Sequence, residues 1–268
     1  MPGTEILSTV GADGVATVTL NRPDVHNAFN DAVIAELTGL LRRLEADGAV
    51  RAVVLRANGK SFSAGADLGW MQRMAGYSHE ENVADAMALA ELMHVLDRLA
   101  KPTVAAVQGA AFGGGVGLVA CCDIAVAADT ASFSLSEVRL GLIPAVISPY
   151  VVAAIGERAS RRYFLTAERF GAAEAHRIGL VHEVVPAHVL DAAVAKMAER
   201  LAEGGPSAQA AAKDLIFSVC RRPTDEAVRR DTAERIAAIR ASQEGREGLA
   251  AFLEKREPAW RRGRGIGS

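Results

Sequence analysis

The sequence lacks an excess of charge of either sign. Its 268 residues include 30 Lys and Arg against 32 Asp and Glu, which gives a formal net charge of −2. Proteins dedicated to nucleic-acid binding carry a strongly basic face, so we expect no nucleic-acid partner. The one basic cluster, WRRGRGIGS at the end of the sequence, is short and rich in glycine, and we interpret it as a frayed tail.

Long apolar runs and targeting signals are also missing. No uncharged apolar run reaches the roughly 18 residues that a membrane-spanning helix needs, because Asp123 and Glu157 interrupt the best candidates. The opening residues MPGTEILSTV contain no basic segment followed by an apolar stretch, so they do not match a secretory signal peptide. We therefore expect no membrane association and a cytoplasmic location.

Cysteine is scarce, with only Cys121, Cys122 and Cys220 in the chain. None of them belongs to a Cys-x-x-Cys pair or to a Cys/His spacing typical of a metal site. We expect no metal and no disulfide. The three side chains are predicted to be small buried hydrophobic groups in a reducing compartment.

Apolar residues follow strand and helix periods in alternation along the first half of the chain. The predicted elements are strands at 15–20, 50–57, 103–109 and 123–128, and helices at 31–44 and 81–100. This alternation predicts an α/β fold. After Pro149 the pattern is mainly helical, so we divide the chain into a core, residues 1–195, and a C-terminal helical lobe, residues 196–268.

Two glycine turns carry the strongest signal for a functional site. They are SAGAD (63–67) and FGGGVG (112–117), and each lies between a predicted strand and a predicted helix. Glycine lets another group approach the backbone, and helix N-termini offer unpaired N–H groups with partial positive charge. Two such termini aimed at one point would form an oxyanion hole. A dinucleotide fingerprint and a phosphate loop do not fit the spacing, whereas close helix–strand packing without a ligand remains an alternative.

Seven segments together resemble the crotonase (enoyl-CoA hydratase/isomerase) superfamily. In chain order they are NRPDVHNAF, FSAGADL, KPTVAAVQGAAFGGG, CDIAVAAD, SEVRLGLIP, LTAERFGAAEAHRIGLVHEVVP and AFLEKREPAW. The stretch GLIPAVISPYVVAAIGERASRRY is most similar to bacterial methylglutaconyl-CoA hydratases of leucine degradation and to isohexenylglutaconyl-CoA hydratases of terpenoid degradation. The resemblance implies a crotonase (ClpP-like) α/β spiral of ββα units. It also implies trimer contacts through the C-terminal helices, in a homotrimer or a dimer of trimers.

The same resemblance implies an acyl-CoA thioester as substrate, with CoA entering as part of it, no permanently bound cofactor and no metal. It places the oxyanion donors at the backbone N–H groups of Ala66 and Gly114, where a side chain on Gly114 is expected to obstruct the thioester. The residues that it assigns to CoA are Val25, His26, Asn27, Ala64, Asp67 and Leu68, with Phe252 and Lys255 reaching the CoA of a neighbouring subunit.

The hydratase pattern has two glutamates, and this chain keeps one. Glu137 matches the second, whereas Gly117 stands at the position of the first. Glu137 alone could act as general base and then as general acid in hydration. The favoured substrate is a branched α,β-unsaturated acyl-CoA, 3-methylglutaconyl-CoA, which would give the 3-hydroxyacyl-CoA. The alternatives are a Δ3,Δ2-type isomerase that uses one glutamate and a catalytically weak acyl-CoA-binding scaffold.

Residues around Glu137 lead to four further expectations. Its apolar sequence neighbourhood predicts burial and a raised pKa, with an ion pair to Arg139, Arg158 or another basic residue as the alternative. Arg139 is predicted to share a face with Glu137 and to meet the distal carboxylate of a glutaconyl-type acyl group. Ala145 replaces the usual glycine and is expected to line the acyl site through its N–H. Asp123 is expected to end a helix through local backbone bonds.

Overall fold

The protein is described over residues 5–261 by a computed structural model. The strands in this range are β1 (Ile6–Val10), β2 (Val15–Leu20), β3 (Ala52–Ala57), β4 (Thr103–Val107), β5 (Ala110–Phe112), β6 (Ile124–Ala128), β7 (Ser132–Ser134), β8 (Phe170–Gly171) and β9 (Glu183–Val185). The α-helices are α1 (Asp31–Ala46), α2 (Leu68–Met74), α3 (His79–Arg98), α4 (Gly114–Cys121), α5 (Ser148–Thr166), α6 (Ala172–Arg177), α7 (Leu190–Glu203), α8 (Pro206–Val219), α9 (Glu226–Ala241) and α10 (Gln243–Leu253). The predicted α/β class is confirmed, and all four predicted strands and both predicted helices are present.

Two sheets make up the strand layer. The larger has the order β1-β2-β3-β4-β6-β9, with β1 antiparallel to β2 and the other neighbours parallel. Parallel strands are buried on both faces, which explains the nearly continuous apolar sequence of β3 and β4. The smaller sheet has the order β5-β7-β8. Its strands are only two or three residues long, and the sequence periodicity did not predict them.

Helices α1 and α3 pack together over one face of the larger sheet. Helix α1 begins where Asn30 accepts a hydrogen bond from the amide of Val33 at 3.0 Å, a cap worth about 1 kcal/mol. The buried stripe of α1 includes Ile34, Leu37 and Leu41, which recur at the spacing of one helix face. This layer and the sheet form the main core, into which α4 also packs.

The opposite face of the larger sheet is covered by α7. Leu190, Val194 and Ala198 pack there against apolar residues of β3, β4 and β6, which include Val54 and Val126. The predicted boundary between residues 195 and 196 therefore falls inside a helix that belongs to the core layer. The helices that follow α7, from α8 to α10, contact one another. Their assignment to trimer contacts stays a prediction.

Helix α8 is held on the core by a charged side chain. Nζ of Lys213 lies 2.9 Å from Oδ2 of Asp123, and the Lys213 side chain is only 10% exposed. The same Asp123 oxygen accepts hydrogen bonds from the backbone N and Oγ1 of Thr103 in β4. The guanidinium of Arg98 also lies over the ring of Phe217, 3.7 Å from its centre. The expected local backbone bonds of Asp123 are thus wrong, because its carboxylate joins β4 to α8.

Two of the three cysteines are buried, as predicted, and the third is not. Burial raises the pKa of the Cys122 thiol to about 12 and that of Cys121 well above its usual value, so both behave as inert apolar groups. Cys220 is exposed at the end of α8. In the part of the chain that the structure describes, no helix has both the length and the apolar character of a membrane span.

Replacing Lys213 tests its part in holding α8. Lys213→Met keeps an unbranched apolar side chain but leaves the partly buried Asp123 carboxylate without its cation. We expect the free energy of unfolding to fall by about 1–3 kcal/mol, measured by urea denaturation at pH 7.5. Lys196→Met, on the exposed face of α7, is the control. A Lys213 variant no less stable than the control would contradict this role.

Candidate active site

The two glycine turns lie directly against each other. The Ser63 amide donates to the Ala110 carbonyl at 3.0 Å, and the Phe112 amide donates to the Ser63 carbonyl at 2.9 Å. Gly65 has a φ of +91°, and a Cβ placed on it would lie 3.0 Å from the carbonyl oxygen of Phe112. The turn 63–67 is thereby fixed beside the residues that begin α4.

Phe29 braces both turns. Its amide donates to the Gly65 carbonyl at 2.9 Å, and its carbonyl accepts from the Asp67 amide at 3.1 Å. Its buried ring packs on the other turn, where a Cβ added to Gly114 would lie only 2.4 Å from Cζ of the ring. A side chain on Gly114 therefore collides first with Phe29, whereas we expected it to obstruct the thioester.

This arrangement leaves two backbone amides unpaired. Within residues 5–261, neither the Ala66 nitrogen nor the Gly114 nitrogen donates a hydrogen bond to the protein. Ala66 forms a parallel bridge with Phe29, and because its neighbours make the bridge bonds, the Ala66 N–H points away from Phe29. Gly114 is the first residue of α4, where an N–H has no intrahelical acceptor. Both donors are thus available to an oxygen that carries negative charge.

The other two glycines of the triplet each meet a different neighbour. Gly113 has a φ of +50°, and a Cβ there would lie 3.1 Å from Oε1 of Glu137. A Cβ on Gly115 would lie 2.7 Å from the carbonyl oxygen of Ser63. The GGG sequence is therefore explained residue by residue, by a carboxylate at the first position, an aromatic ring at the second and backbone at the third.

Glu137 brings a carboxylate against the first residue of that triplet. It begins a single 3₁₀ turn, Glu137–Leu140, which follows β7. Burial raises the pKa of Glu137, and its own backbone amide offsets part of the effect, which confirms the predicted direction. Oε2 is buried without a hydrogen-bond partner among residues 5–261. The alternative of an ion pair to Arg139 or Arg158 is wrong, because the described residues contain no such pair.

The position of the missing carboxylate is filled by another side chain. A Cβ on Gly117 would lie 2.3 Å from Cγ2 of Ile147, 3.0 Å from Cβ of Ile147 and 3.2 Å from Cε of Met93. Both neighbours are buried. A side chain at residue 117 has no space unless one of them moves.

Two predicted acyl-site residues are placed differently from our expectation. Residues 137–140 form a 3₁₀ turn, in which side chains two positions apart point about 120° from each other. The shared face of Glu137 and Arg139 is therefore wrong, and Arg139 is exposed. The N–H of Ala145 donates to the carbonyl of Ile143 at 2.8 Å, so it is not free to bind substrate.

Four of the five residues in the PDVHN turn are exposed. Val25 and His26 are exposed, and Nδ1 of His26 lies 3.1 Å from Oγ of Ser61. Asn27 is 2% exposed, and its amide group bonds three backbone groups, the carbonyls of Asn58 and Ser61 and the amide of Arg22. Asn27 is thus a positioning residue for the turn, and its side chain is not available to CoA.

The second group assigned to CoA follows the turn 63–67. Asp67 caps α2 by accepting from the amides of Gly69 and Trp70, and it pairs with Arg22 at 3.1 Å. Burial by itself would raise the pKa of Asp67, but these amides and the guanidinium bring it below its usual value. Leu68 is exposed, and Ala64 is partly exposed. Asp67 therefore holds the start of α2, whereas Leu68 and, in part, Ala64 are open to solvent.

The two residues assigned to a neighbouring subunit lie far along the chain from the site. Phe252 is the next-to-last residue of α10 and is 81% exposed, and Lys255, two residues after the end of the helix, is also exposed. The adjoining Leu253 is exposed as well. The C-terminal helix therefore presents an uncovered apolar end in the single chain.

Comparison with known proteins identifies the family of this chain. The Enoyl-CoA hydratase/isomerase family model matches residues 11–263. The chain belongs to the crotonase superfamily. The crotonyl-CoA hydratase of Syntrophomonas wolfei is 33% identical over 91% of this chain and 93% of its own. Among crotonase structures, an enoyl-CoA hydratase from Shewanella pealeana is 48% identical, with 96% of each chain covered and a TM-score of 0.93. AtuE from Pseudomonas aeruginosa is 37% identical, covers 96% of this chain and 99% of its own, and has a TM-score of 0.91.

Three residues that shape this crotonase site were not identified from the sequence. They are Phe29, Ser63 and Ile147, which contact Gly114, Gly115 and Gly117 respectively. Phe29 and Ser63 stand inside the quoted motifs NRPDVHNAF and FSAGADL, so their position offered a signal. Ile147 stands 30 positions from Gly117, and only the packed structure relates the two.

Removal of the Glu137 charge is expected to stabilise the protein, because Oε2 of the carboxylate is buried and unpaired. A raised pKa in the folded state means that folding disfavours the ionised form. That cost is absent below the unfolded pKa of about 4.3, grows as the pH rises from that value to the higher folded one, and is complete above the folded value. Glu137→Gln should therefore be more stable than the natural protein at pH 7.5 and should lose this advantage at pH 4.

Urea unfolding at the two pH values measures the effect. Glu199→Gln, an exposed position on α7, serves as the control and should show no such dependence. A Glu137→Gln variant that is less stable at pH 7.5 would mean that the carboxylate stabilises the fold, contrary to its unpaired environment.

Proposed function

We propose that the protein adds water across the α,β double bond of an enoyl-CoA thioester. The observation that carries the proposal is the position of the half-buried Glu137 carboxylate, whose Oε2 is unpaired, against Gly113, one residue before the free amide of Gly114. The second free amide, that of Ala66, lies in the adjoining turn. A proton carrier beside two unpaired N–H donors in adjoining turns is the set of groups that enolate chemistry on a thioester requires.

The reaction follows from these three groups. Glu137 takes a proton from water while the water oxygen bonds to the β-carbon, and the double-bond electrons move to the thioester oxygen as an enolate. The amides of Ala66 and Gly114 hold this oxygen, and each such donor is worth roughly 3–4 kcal/mol. Glu137 then returns a proton to the α-carbon, which regenerates its carboxylate. Burial raises the pKa of Glu137 toward the working range of a general acid and base.

A single carboxylate also suits a second reaction. In a Δ3,Δ2-type isomerase, Glu137 would remove a proton from the α-carbon of a β,γ-unsaturated thioester and deliver it to the γ-carbon. The filled space at Gly117 favours this alternative as much as it favours one-acid hydration. The names of the relatives support hydration, since the crotonyl-CoA hydratase of Syntrophomonas wolfei aligns over nearly the whole chain.

The acyl group and the assembly belong to the same proposal. The substrate is a branched acyl-CoA, 3-methylglutaconyl-CoA, whose distal carboxylate requires a cation. Arg139 is exposed near Glu137 and has no ion-pair partner among residues 5–261, which supports its availability.

The exposed apolar end of α10 at Phe252 and Leu253 supports a homotrimer or a dimer of trimers, in which a neighbouring subunit covers that surface.

The role of Glu137 predicts a loss of turnover without a loss of binding. Glu137→Gln keeps the size of the side chain and removes the proton carrier, so kcat should fall by about 10²–10⁴-fold. Binding of a saturated acyl-CoA should be nearly unchanged by calorimetry. Mass spectrometry of the product from an α,β-unsaturated acyl-CoA should show the addition of one water in the natural protein only.

Three results would contradict the proposal. Unchanged turnover in the Glu137 variant would remove the residue from the mechanism. Migration of the double bond in a β,γ-unsaturated acyl-CoA, with no water added to either isomer, would establish the isomerase instead. A protein that binds acyl-CoA but exchanges no α-proton with deuterated water would be a scaffold.

The distal carboxylate gives a separate prediction. Arg139→Gln should lower kcat/KM for 3-methylglutaconyl-CoA about 10–100-fold, the worth of a charge-assisted bond. It should leave 3-methylcrotonyl-CoA, which lacks that carboxylate, unaffected. Arg158→Gln, an exposed change on α5, is the control. Equal loss on both substrates would exclude Arg139 as the carboxylate partner while leaving hydration itself in place.

A further inference from the structure

The contact between Gly117 and Ile147 has a consequence for the mechanism. Gly117 lies inside α4, where glycine costs about 1 kcal/mol relative to alanine. Its φ is not positive, so the backbone does not require glycine there. The reason for glycine is steric, because Cγ2 of Ile147 occupies the point 2.3 Å from where a Cβ would be.

This contact lies one helical turn beyond Gly114, whose amide is one of the two unpaired donors. Residues 114 and 117 are three apart on the helix, so they share a face about 5 Å apart along the axis. Cys121, one turn further, contacts Met93 with the two sulfur atoms 3.7 Å apart. Met93 also lies beside Gly117. One continuous face thus runs from the Gly113–Glu137 contact, past Ile147, to Met93.

Ile147 is fixed in this position by its place in the chain. It directly precedes α5, its carbonyl accepts a hydrogen bond from the Val151 amide at 3.0 Å, and its side chain is 3% exposed. The same segment leads back to Glu137, whose carbonyl accepts from the Leu142 amide at 3.0 Å. The segment that supplies the carboxylate therefore also supplies the side chain that fills the space one helical turn away.

We propose that Ile147 is a positioning residue that, with Gly117, restricts the reaction centre to the single carboxylate of Glu137. Its side chain excludes any second acid from the adjacent turn of α4 and keeps that side of the centre apolar. With that space filled by Ile147, the base and acid steps both fall to Glu137. This inference rests on the proposed hydration for its catalytic meaning, whereas its steric part stands independently of activity.

A thermal double-mutant cycle tests the steric part. The variants are Gly117→Ala, Ile147→Ala and their combination, with Gly48→Ala as the matched control, because a Cβ on Gly48 meets nothing within 4 Å. Gly117→Ala should lower Tm by about 5 °C or more by overpacking, although alanine is the better helix former. In the Ile147→Ala background the same change should be neutral or stabilising, since the new methyl enters the space that opens.

The catalytic part is tested by installing a second acid. Gly117→Glu alone should destabilise the protein and impair turnover of crotonyl-CoA. Gly117→Glu combined with Ile147→Ala should recover at least about tenfold in kcat/KM over the single variant and should add a second ionisation to its pH profile. If the role of Ile147 is purely structural, the double variant will recover stability but will not show the second ionisation.

Different results contradict the steric part, the catalytic part and the proposed function. Additive losses of Tm in the cycle, or a Gly117→Ala variant as stable as Gly48→Ala, would overturn the proposal. A folded double variant with the single ionisation of the natural protein would overturn its catalytic part. If the natural protein hydrates no enoyl-CoA but the Tm cycle is non-additive, the proposed function fails and the steric pairing of Ile147 with Gly117 stands.

Discussion

The contact of Phe29 with both glycine turns is the constraint on which the site depends. Its backbone holds the turn of Ala66, and its ring rests on Gly114. The bridge pattern directs the Ala66 amide away from Phe29, and the start of α4 leaves the Gly114 amide without an acceptor. Phe29 therefore adds to the direct backbone bonds of Ser63 with Ala110 and Phe112, which already join the two turns.

The site contains groups that the fold leaves unsatisfied. Two backbone donors and one buried carboxylate oxygen lack partners within the described residues, and each such group costs about 1–3 kcal/mol. The surrounding residues hold this arrangement because their own polar groups are bonded, as those of Asn27 and Asp67 are. The groups that stabilise these turns and the groups left unpaired therefore belong to different residues.

Each glycine at the start of α4 has a close neighbour that leaves no space for a side chain. Glu137, Phe29, Ser63 and Ile147 each occupy the space that a side chain on one of four glycines would need. Protein interiors are close-packed, so a change at any of these glycines must be matched by its neighbour. The absence of a carboxylate at residue 117 therefore involves two residues, Gly117 and Ile147. The helices beyond α7 are attached to the same region through Asp123, which follows α4 and pairs with Lys213.

The amino-acid sequence by itself determined the α/β class, the main strands and helices, both glycine turns and the raised pKa of Glu137, because periodicity, turn chemistry and apolar neighbours are local properties. It did not determine the short strands β5, β7 and β8, which pair across the chain, or the 3₁₀ turn that separates the directions of Glu137 and Arg139. Nor did it indicate that Asp123 would bind Lys213, 90 positions away, or that Ile147 would fill the space beside Gly117. Those outcomes depend on contacts between segments distant in sequence, and only the tertiary structure decided them, because close packing relates residues by distance in space.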